Sequence, residues 1–282
     1  MTVEGLLGFS GKIHVADIGA AAVAEVPPYK TLLDRGIARL TAVDGDERQR
    51  EKIVAAFGPD AIVLCEVIGD GARHTLHLCS PASGMSSLLQ PSKRNLAFFN
   101  GFPGFGAVQD TVEVETKRLA DIADLQQIDF LKMDIQGAEL MVLEHAGSAL
   151  DRCVAIQLEA SFVPLYEDQP SFGAIDLWMR AHGFLPHCFT DVKRWSIAPV
   201  VRGGNIRIPF NQLLECDIVY VRGLVALDGL DDDQMKKLAL IAGYSYRSPD
   251  LAVRIVLELE RRGTLPSGIF REAGALLSAL GR

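Results

Sequence analysis

Five apolar runs, each closed by or near an acid and each followed by a helical pattern, constrain this chain of 282 residues more than any other feature in it. The runs are "KIHVADIG", "IARLTAVDG", "AIVLCEVIGD", "IDFLKMDIQG" and "CVAIQLEAS". Each is apolar almost continuously rather than at alternate positions, so each needs cover on both faces. Strands of that kind, alternating with helices, predict an α/β fold with a mostly parallel, doubly wound sheet. The intervening helices carry their own punctuation. "PPYKTLLDRG" starts with proline and stops at Gly36, and "DERQREKIVAAFG" stops at Gly58. "AELMVLEHAGSAL" and "SFGAIDLWMRAHG" supply the helices after the fourth and fifth runs, and "FLPHCFTD" and "LECDIVYVR" complete the strands.

Two stretches fall outside this rhythm. "RHTLHLCS" and "TVEVETKRL" predict short extra strands, and Ser80 to Gln109, rich in Gly, Pro and Ser, predicts a long loop of the kind used as a lid. From Leu227 onward the pattern is helical throughout, in "DDDQMKKLALIAG", "SPDLAVRIVLELERRG" and "PSGIFREAGALLSALG". The expected division is a main domain over 1–225 and a helical C-terminal appendage over 226–282. Leu251, Ile255 and Leu259 share one face of the middle helix, which predicts packing on the core or on a second copy as a homodimer.

Composition bounds the function. A formal net charge of −8 offers no general basic surface for nucleic acid. No apolar run approaches the ~18–20 residues of a membrane span, and the first residues lack the basic-then-apolar pattern of a signal peptide. The five cysteines are scattered without a Cys-x-x-Cys, which argues against zinc and for a reducing compartment, so a cytoplasmic location is expected.

In doubly wound sheets the ligand lies outside the carboxyl ends of the strands. Reading those ends in order gives Asp17 and Gly19, Asp44, Gly69 and Asp70, Asp134, and Glu159. A phosphate site would want glycine amides and a lysine there. A row of carboxylates suits a ligand with hydroxyls, an amine and a positive charge, and S-adenosylmethionine is such a ligand. Any one of these acids is more simply a turn or cap residue, and Asp70–Gly71 is an ordinary turn pair. The series carries the signal: Asp44 follows Gly19 at close to the ~20-residue spacing at which an acid meets ribose hydroxyls.

"IDFLKMDIQGAELMVLEHAG", supported by "VADIGA", "VEVETKRLADI" and "VAIQLEASFVPLYEDQPSFGAIDLWMRAHGF", resembles the FkbM-type family of S-adenosylmethionine-dependent methyltransferases. The resemblance covers roughly residues 13 to 222 and centres on Lys132, Asp134, Gly137 and Glu139. It implies a class I, Rossmann-like methyltransferase fold of seven strands with the last antiparallel. It implies methyl transfer to oxygen on a sugar, glycan or secondary-metabolite hydroxyl, with S-adenosylhomocysteine as product. The cofactor-binding positions are then Asp17, Gly19, Ala20, Asp44, Gly69 and Asp70. The first loop departs from the family pattern: Ala21 replaces an asparagine and Val23 a glycine, so the loop takes another path or holds the cofactor less tightly. Asp44 stands where a glutamate is usual.

Alternation puts Phe130, Lys132 and Asp134 on one face of their strand. Asp134 is the expected base or acceptor-orienting group. Lys132 would keep it ionised or steady oxyanion character, and Glu159 would face the same crevice. A purely structural Lys132–Asp134 ion pair is the plainer alternative. Glu139 is expected to serve as a first-turn helix acid. Asp134 and Glu159 offer oxygens to a divalent metal, but two acids do not make a site and none is predicted. His74 and His77 point to opposite faces, and His187 is a core or surface histidine before it is a pocket residue. Lys193, Arg194, Arg202 and Arg207 form a basic cluster that is a solvated hairpin or meets a phosphate-bearing acceptor, and Tyr166 to Asp168 touch acceptor hydroxyls or cap a helix. A catalytically silent scaffold of the same fold is the rival class, and a nucleotide-binding oxidoreductase is disfavoured because no Gly-x-Gly-x-x-Gly follows the first strand.

Overall fold

The apolar runs assemble side by side because each leaves unpaired backbone groups and two greasy faces. The computed structural model describes residues 2–20 and 26–280. In chain order the first half holds α1 (Val3–Leu6), β1 (Ile13–Ile18), α2 (Lys30–Asp34), β2 (Ala38–Val43), α3 (Arg50–Phe57), β3 (Ile62–Leu64), β4 (Arg73–Leu78), α4 (Lys93–Leu96), α5 (Phe102–Phe105) and β5 (Asp110–Glu115). The second half holds β6 (Phe130–Met133), α6 (Glu139–Glu144), β7 (Ala155–Ser161), α7 (Phe172–Ala181), β8 (Phe184–Arg194), β9 (Leu213–Arg222), α8 (Asp232–Tyr244), α9 (Pro249–Arg261) and α10 (Ile269–Leu280).

A seven-stranded sheet runs in the order β3-β2-β1-β6-β7-β9-β8. β1 pairs in parallel with β2 and β6, β2 with β3, and β6 with β7, while β9 is antiparallel to both β7 and β8. The last strand in sequence is thus inserted antiparallel between two strands that run with the rest. This is the class I, Rossmann-like methyltransferase sheet, and its order reverses beside β1, where β6 lies next to it across the switch point. The short extra strands β4 and β5 pair with each other as a separate hairpin arm.

One face of the sheet, with Ile13, Val15, Phe130, Ala155, Val219 and Val221, shares a single core with α1, α2, α8, α9 and α10. The other face, with Ile18, Leu131, Met133, Ile156 and Ile218, packs on α6 and α7. Leu251, Ile255 and Leu259 are buried in the first of these cores, within the same chain. The α8 amino end is secured by a capping box between Asp231 and Gln234.

Two expectations change here. β3 ends at Leu64, so Gly69 and Asp70 are not at a strand end; Gly69 packs on Thr116, where a Cβ would lie 2.8 Å from Oγ1. The reason is position: β3 is an edge strand with β2 as its one neighbour, and the chain leaves it for the hairpin arm. The stretch from Ser80 to Gln109 is not a bare loop. It holds α4 and α5, and Met85, Leu96, Phe99 and Phe102 form a small core with Leu165, Tyr166 and Leu214.

Candidate active site

On the face covered by α8 and α9, apolar rows give way to polar ones as the strands reach their carboxyl ends. The β1–β6–β7 register sets Asp17 beside Lys132 and Lys132 beside Gln157. Because side chains alternate, these three and Asp134, Glu159 and Asp217 all point to that one face.

Asp17 is buried with both oxygens engaged. Tyr29 donates its hydroxyl to Oδ2 at 2.5 Å and Lys132 donates Nζ to Oδ1 at 3.3 Å. Lys132 therefore pairs across the strands with Asp17, and not along its own strand with Asp134 as expected. Burial opposes its charge, but Asp17 and then Asp134 outweigh that and hold its pKa above the ordinary lysine value. Gly19 follows with φ +78°, and a Cβ there would lie 2.0 Å from the Asp134 carbonyl oxygen. That crossing requires glycine on both counts. Ala20 is buried, its N–H bonded to the Val43 carbonyl; the Ala21 and Val23 departures lie outside the described residues.

Asp44 closes β2, half-buried. Its Oδ1 accepts the Asp46 N–H at 2.7 Å, and Oδ2 has no hydrogen-bond partner among the described residues. Burial, against the Asp46 N–H, raises its pKa. Asp70 is spent locally, its Oδ1 accepting from the Ala72 N–H at 2.8 Å and lying 2.8 Å from His74 Nε2. The cofactor positions brought together are thus Asp17, Gly19, Ala20 and Asp44, with Gly69 and Asp70 at the root of the hairpin arm.

The signature turn after β6 has an organiser that the sequence did not single out for a role. Gln136 sits at φ +59°, an unusual conformation for a residue with a side chain. Its Nε2 donates to Asp134 Oδ1 and to Glu159 Oε2, each at 2.9 Å. The Tyr166 hydroxyl donates to its Oε1 at 3.0 Å, and Ser87 Oγ donates to its backbone carbonyl at 2.7 Å. Four hydrogen bonds thus hold the strained residue in place. Glu139 is fully buried and receives the Ile135 and Gly137 N–H groups at 2.9 and 3.2 Å, so it caps the turn. Burial pushes its pKa up to about 7.

Glu159 is buried and accepts Lys193 Nζ on Oε1 at 3.1 Å; the same ammonium reaches Glu215 at 2.8 Å. Burial, then Asp134 and Glu215, hold its pKa well above the usual carboxylate value despite Lys193. Burial likewise pushes Asp217 up to about 6. Lys193 therefore belongs to the acidic crevice and not to a basic cluster, a pairing visible once β8 lies beside β9. Asp134 differs from Asp17 and Glu159, whose carboxylate oxygens are both engaged: one of its oxygens is oriented by Gln136, and Oδ2 has no partner among the described residues. His187 bonds Ser248 Oγ at 2.7 Å on the C-terminal side. Among the described residues, no group of three or more His, Cys, Asp and Glu is arranged to hold a metal.

The methyltransferase FkbM domain family matches residues 34–186. No curated protein matches the chain. Among solved structures, an uncharacterized protein from Listeria monocytogenes serotype 4b is 12% identical, with 99% of this chain and 98% of that one covered at a TM-score of 0.38. A candidate methyltransferase from Thermoplasma acidophilum is 11% identical, with coverages of 75% and 69% and a TM-score of 0.35. A fibrillarin/Nop5p complex is 12% identical, with coverages of 76% and 74% and a TM-score of 0.35.

Proposed function

The chain belongs to the FkbM methyltransferase family, and from that premise we propose that it methylates a hydroxyl oxygen on a sugar, glycan or secondary metabolite, using S-adenosylmethionine. The residues suit that cofactor: Asp44 keeps one carboxylate oxygen for a ribose diol, and Gly19 lets the first loop turn tightly over the β6 end. When bound, the cofactor supplies a methyl group already activated on a sulfonium. The chain must align the acceptor and take its proton.

The observation that carries the reading is Asp134, half-buried at the carboxyl end of β6, with Oδ1 fixed by Gln136 and Oδ2 available. Asp134 Oδ2 would accept the hydroxyl proton of the acceptor, freeing its oxygen for the methyl group that the bound cofactor would supply. Gln136 and Glu159 position Asp134, and Lys132, anchored on Asp17, keeps positive charge beside it. A positioned base is worth ~10²–10⁴-fold and alignment several kcal/mol more. Asp134→Asn is nearly isosteric and should retain the melting temperature and S-adenosylhomocysteine affinity, while single-turnover transfer falls by at least ~10²-fold. Lost stability with intact turnover would leave Asp134 a structural acid, and no methyl transfer by the wild type to any hydroxyl acceptor would favour a silent scaffold of the same fold.

A further inference from the structure

Two segments far apart in sequence come together beside the crevice, and their composition differs from that of the rest of the chain. Residues 91–109 contain Lys93 and Arg94 and no acid; residues 194–212 contain Arg194, Arg202 and Arg207 and no acid, in a chain of net charge −8. All five cations are exposed. The segments are stapled to each other: Phe99 bridges Ile197, the Ala198 N–H donates to the Phe98 carbonyl at 2.9 Å, and Asn100 Nδ2 donates to the Val200 carbonyl at 2.7 Å. Trp195 Nε1 closes the join on the Asn100 carbonyl at 2.8 Å, with its ring against Phe102. Large apolar side chains protrude from the same two segments, with Val200 59% exposed and Phe98, Val201, Ile208 and Phe210 each more than a third exposed. Arg202 lies over the Phe210 ring at 4.3 Å, so cation and apolar surface are presented together.

Clustered exposed apolar groups on a soluble domain mark a contact surface. Cations interleaved with them, in two segments that hold no acid although Glu167 adjoins Gln90 at their edge, complement a surface that is negative outside and apolar within. We propose that this face docks the protein on the headgroup layer of an anionic lipid membrane, as a peripheral contact, with the five cations on the phosphates and the protruding side chains at the acyl boundary. No helix among the described residues is long and apolar enough to cross a membrane, so the attachment is to the surface. β8 runs from this face directly to Lys193 in the crevice, and Tyr166 of the small core beneath it bonds Gln136. Docking there presents the crevice to an acceptor at the membrane surface.

The test is co-sedimentation of the full chain with vesicles of equal parts phosphatidylcholine and phosphatidylglycerol, against vesicles of phosphatidylcholine alone. The protein is expected to sediment with the former and not the latter, and to be released as salt is raised. Arg202→Glu with Arg207→Glu should lower partitioning by more than about tenfold. Val200→Ser with Phe210→Ser should lower it too, with melting temperature and S-adenosylhomocysteine affinity unchanged in both variants. No sedimentation with the anionic vesicles, or sedimentation indifferent to both variants, would overturn the proposal. So would a change of mass in solution in these variants without vesicle binding, since the face would then be a contact between copies of the chain.

Discussion

At the scale of single residues, the signature after β6 is a strained turn held by buried polar groups, and Glu139 shows how that is done. Its carboxylate accepts two backbone N–H groups that the turn would otherwise leave unpaired, yet burial with Asp134 nearby makes its charge unfavourable. A carboxyl pushed up to about 7 in the folded state, against 4.5 unfolded, binds a proton more tightly when native. Its contribution is therefore fully present at low pH and is lost as pH rises from about 4.5 through 7. The whole shift corresponds to roughly 3 kcal/mol. Glutamine keeps the accepting oxygen and carries no charge at any pH. Glu139→Gln should therefore gain on the wild type as pH rises from 5 to 8, by several degrees of melting temperature. An unchanged difference between the two proteins at both pH values would mean that Glu139 stays ionised throughout.

At the scale of elements, the crevice depends on which strands lie together, and this separates what was legible from what was not. The βα alternation was legible because buried parallel strands must be apolar throughout, and Asp44 and Asp134 were found because a carboxyl end is where polar side chains are exposed to a ligand. Lys132 was paired with Asp134 because the two share a strand face, but register sets Asp17 beside it and Asp17 is already buried. Lys193 looked like part of a basic hairpin because its partners, Glu159 and Glu215, come from two other strands. The small core under residues 80–109 rests on Leu165, Tyr166 and Leu214, contacts that no local pattern carries. The same tie predicts behaviour. Lys193→Met removes the ammonium shared by Glu159 and Glu215 and leaves two carboxylates on β7 and β9 without it. Lys193 is 42% exposed, so the loss should be about 1–3 kcal/mol, below the value for a fully buried pair. In the wild type the lysine stays charged throughout the neutral range, since Glu159 and Glu215 outweigh its burial and raise its pKa. In the variant Glu159, already pushed up by burial and its acidic neighbours, takes up a proton more readily, so the deficit should be largest near pH 8 and shrink near pH 5. Equal deficits at both pH values in thermal melts would remove Lys193 from the electrostatics of the crevice.

At the scale of the molecule, the C-terminal helices decide whether residues 1–225 can stand alone. We propose that the two parts fold as one unit, although 226–282 follows the last strand and has the look of an addition. Met235, Leu238 and Ile241 of α8 and Leu251, Ile255 and Leu259 of α9 are buried in the core that covers Ile13, Val15 and Phe130 of the sheet. Polar ties cross the same boundary: Lys237 bonds Asp129 at 3.0 Å, whose other oxygen receives the His14 N–H, and the Tyr246 hydroxyl bonds Gln157 beside Lys132. Each large apolar side chain so buried is worth ~1.5–3 kcal/mol. The six named therefore outweigh or match the ~5–15 kcal/mol by which a domain is stable at all. Truncation after Gly223 would strip α8 to α10 from one face of the sheet and leave α1, α2 and α3 on it, and parallel sheets do not tolerate a face so largely uncovered. The shortened chain should be recovered insoluble, or soluble without a cooperative thermal transition and without S-adenosylhomocysteine binding. A soluble fragment that melts cooperatively and binds the product would show that α1, α2 and α3 suffice to cover that face, and that α8 to α10 are a separate domain resting on it.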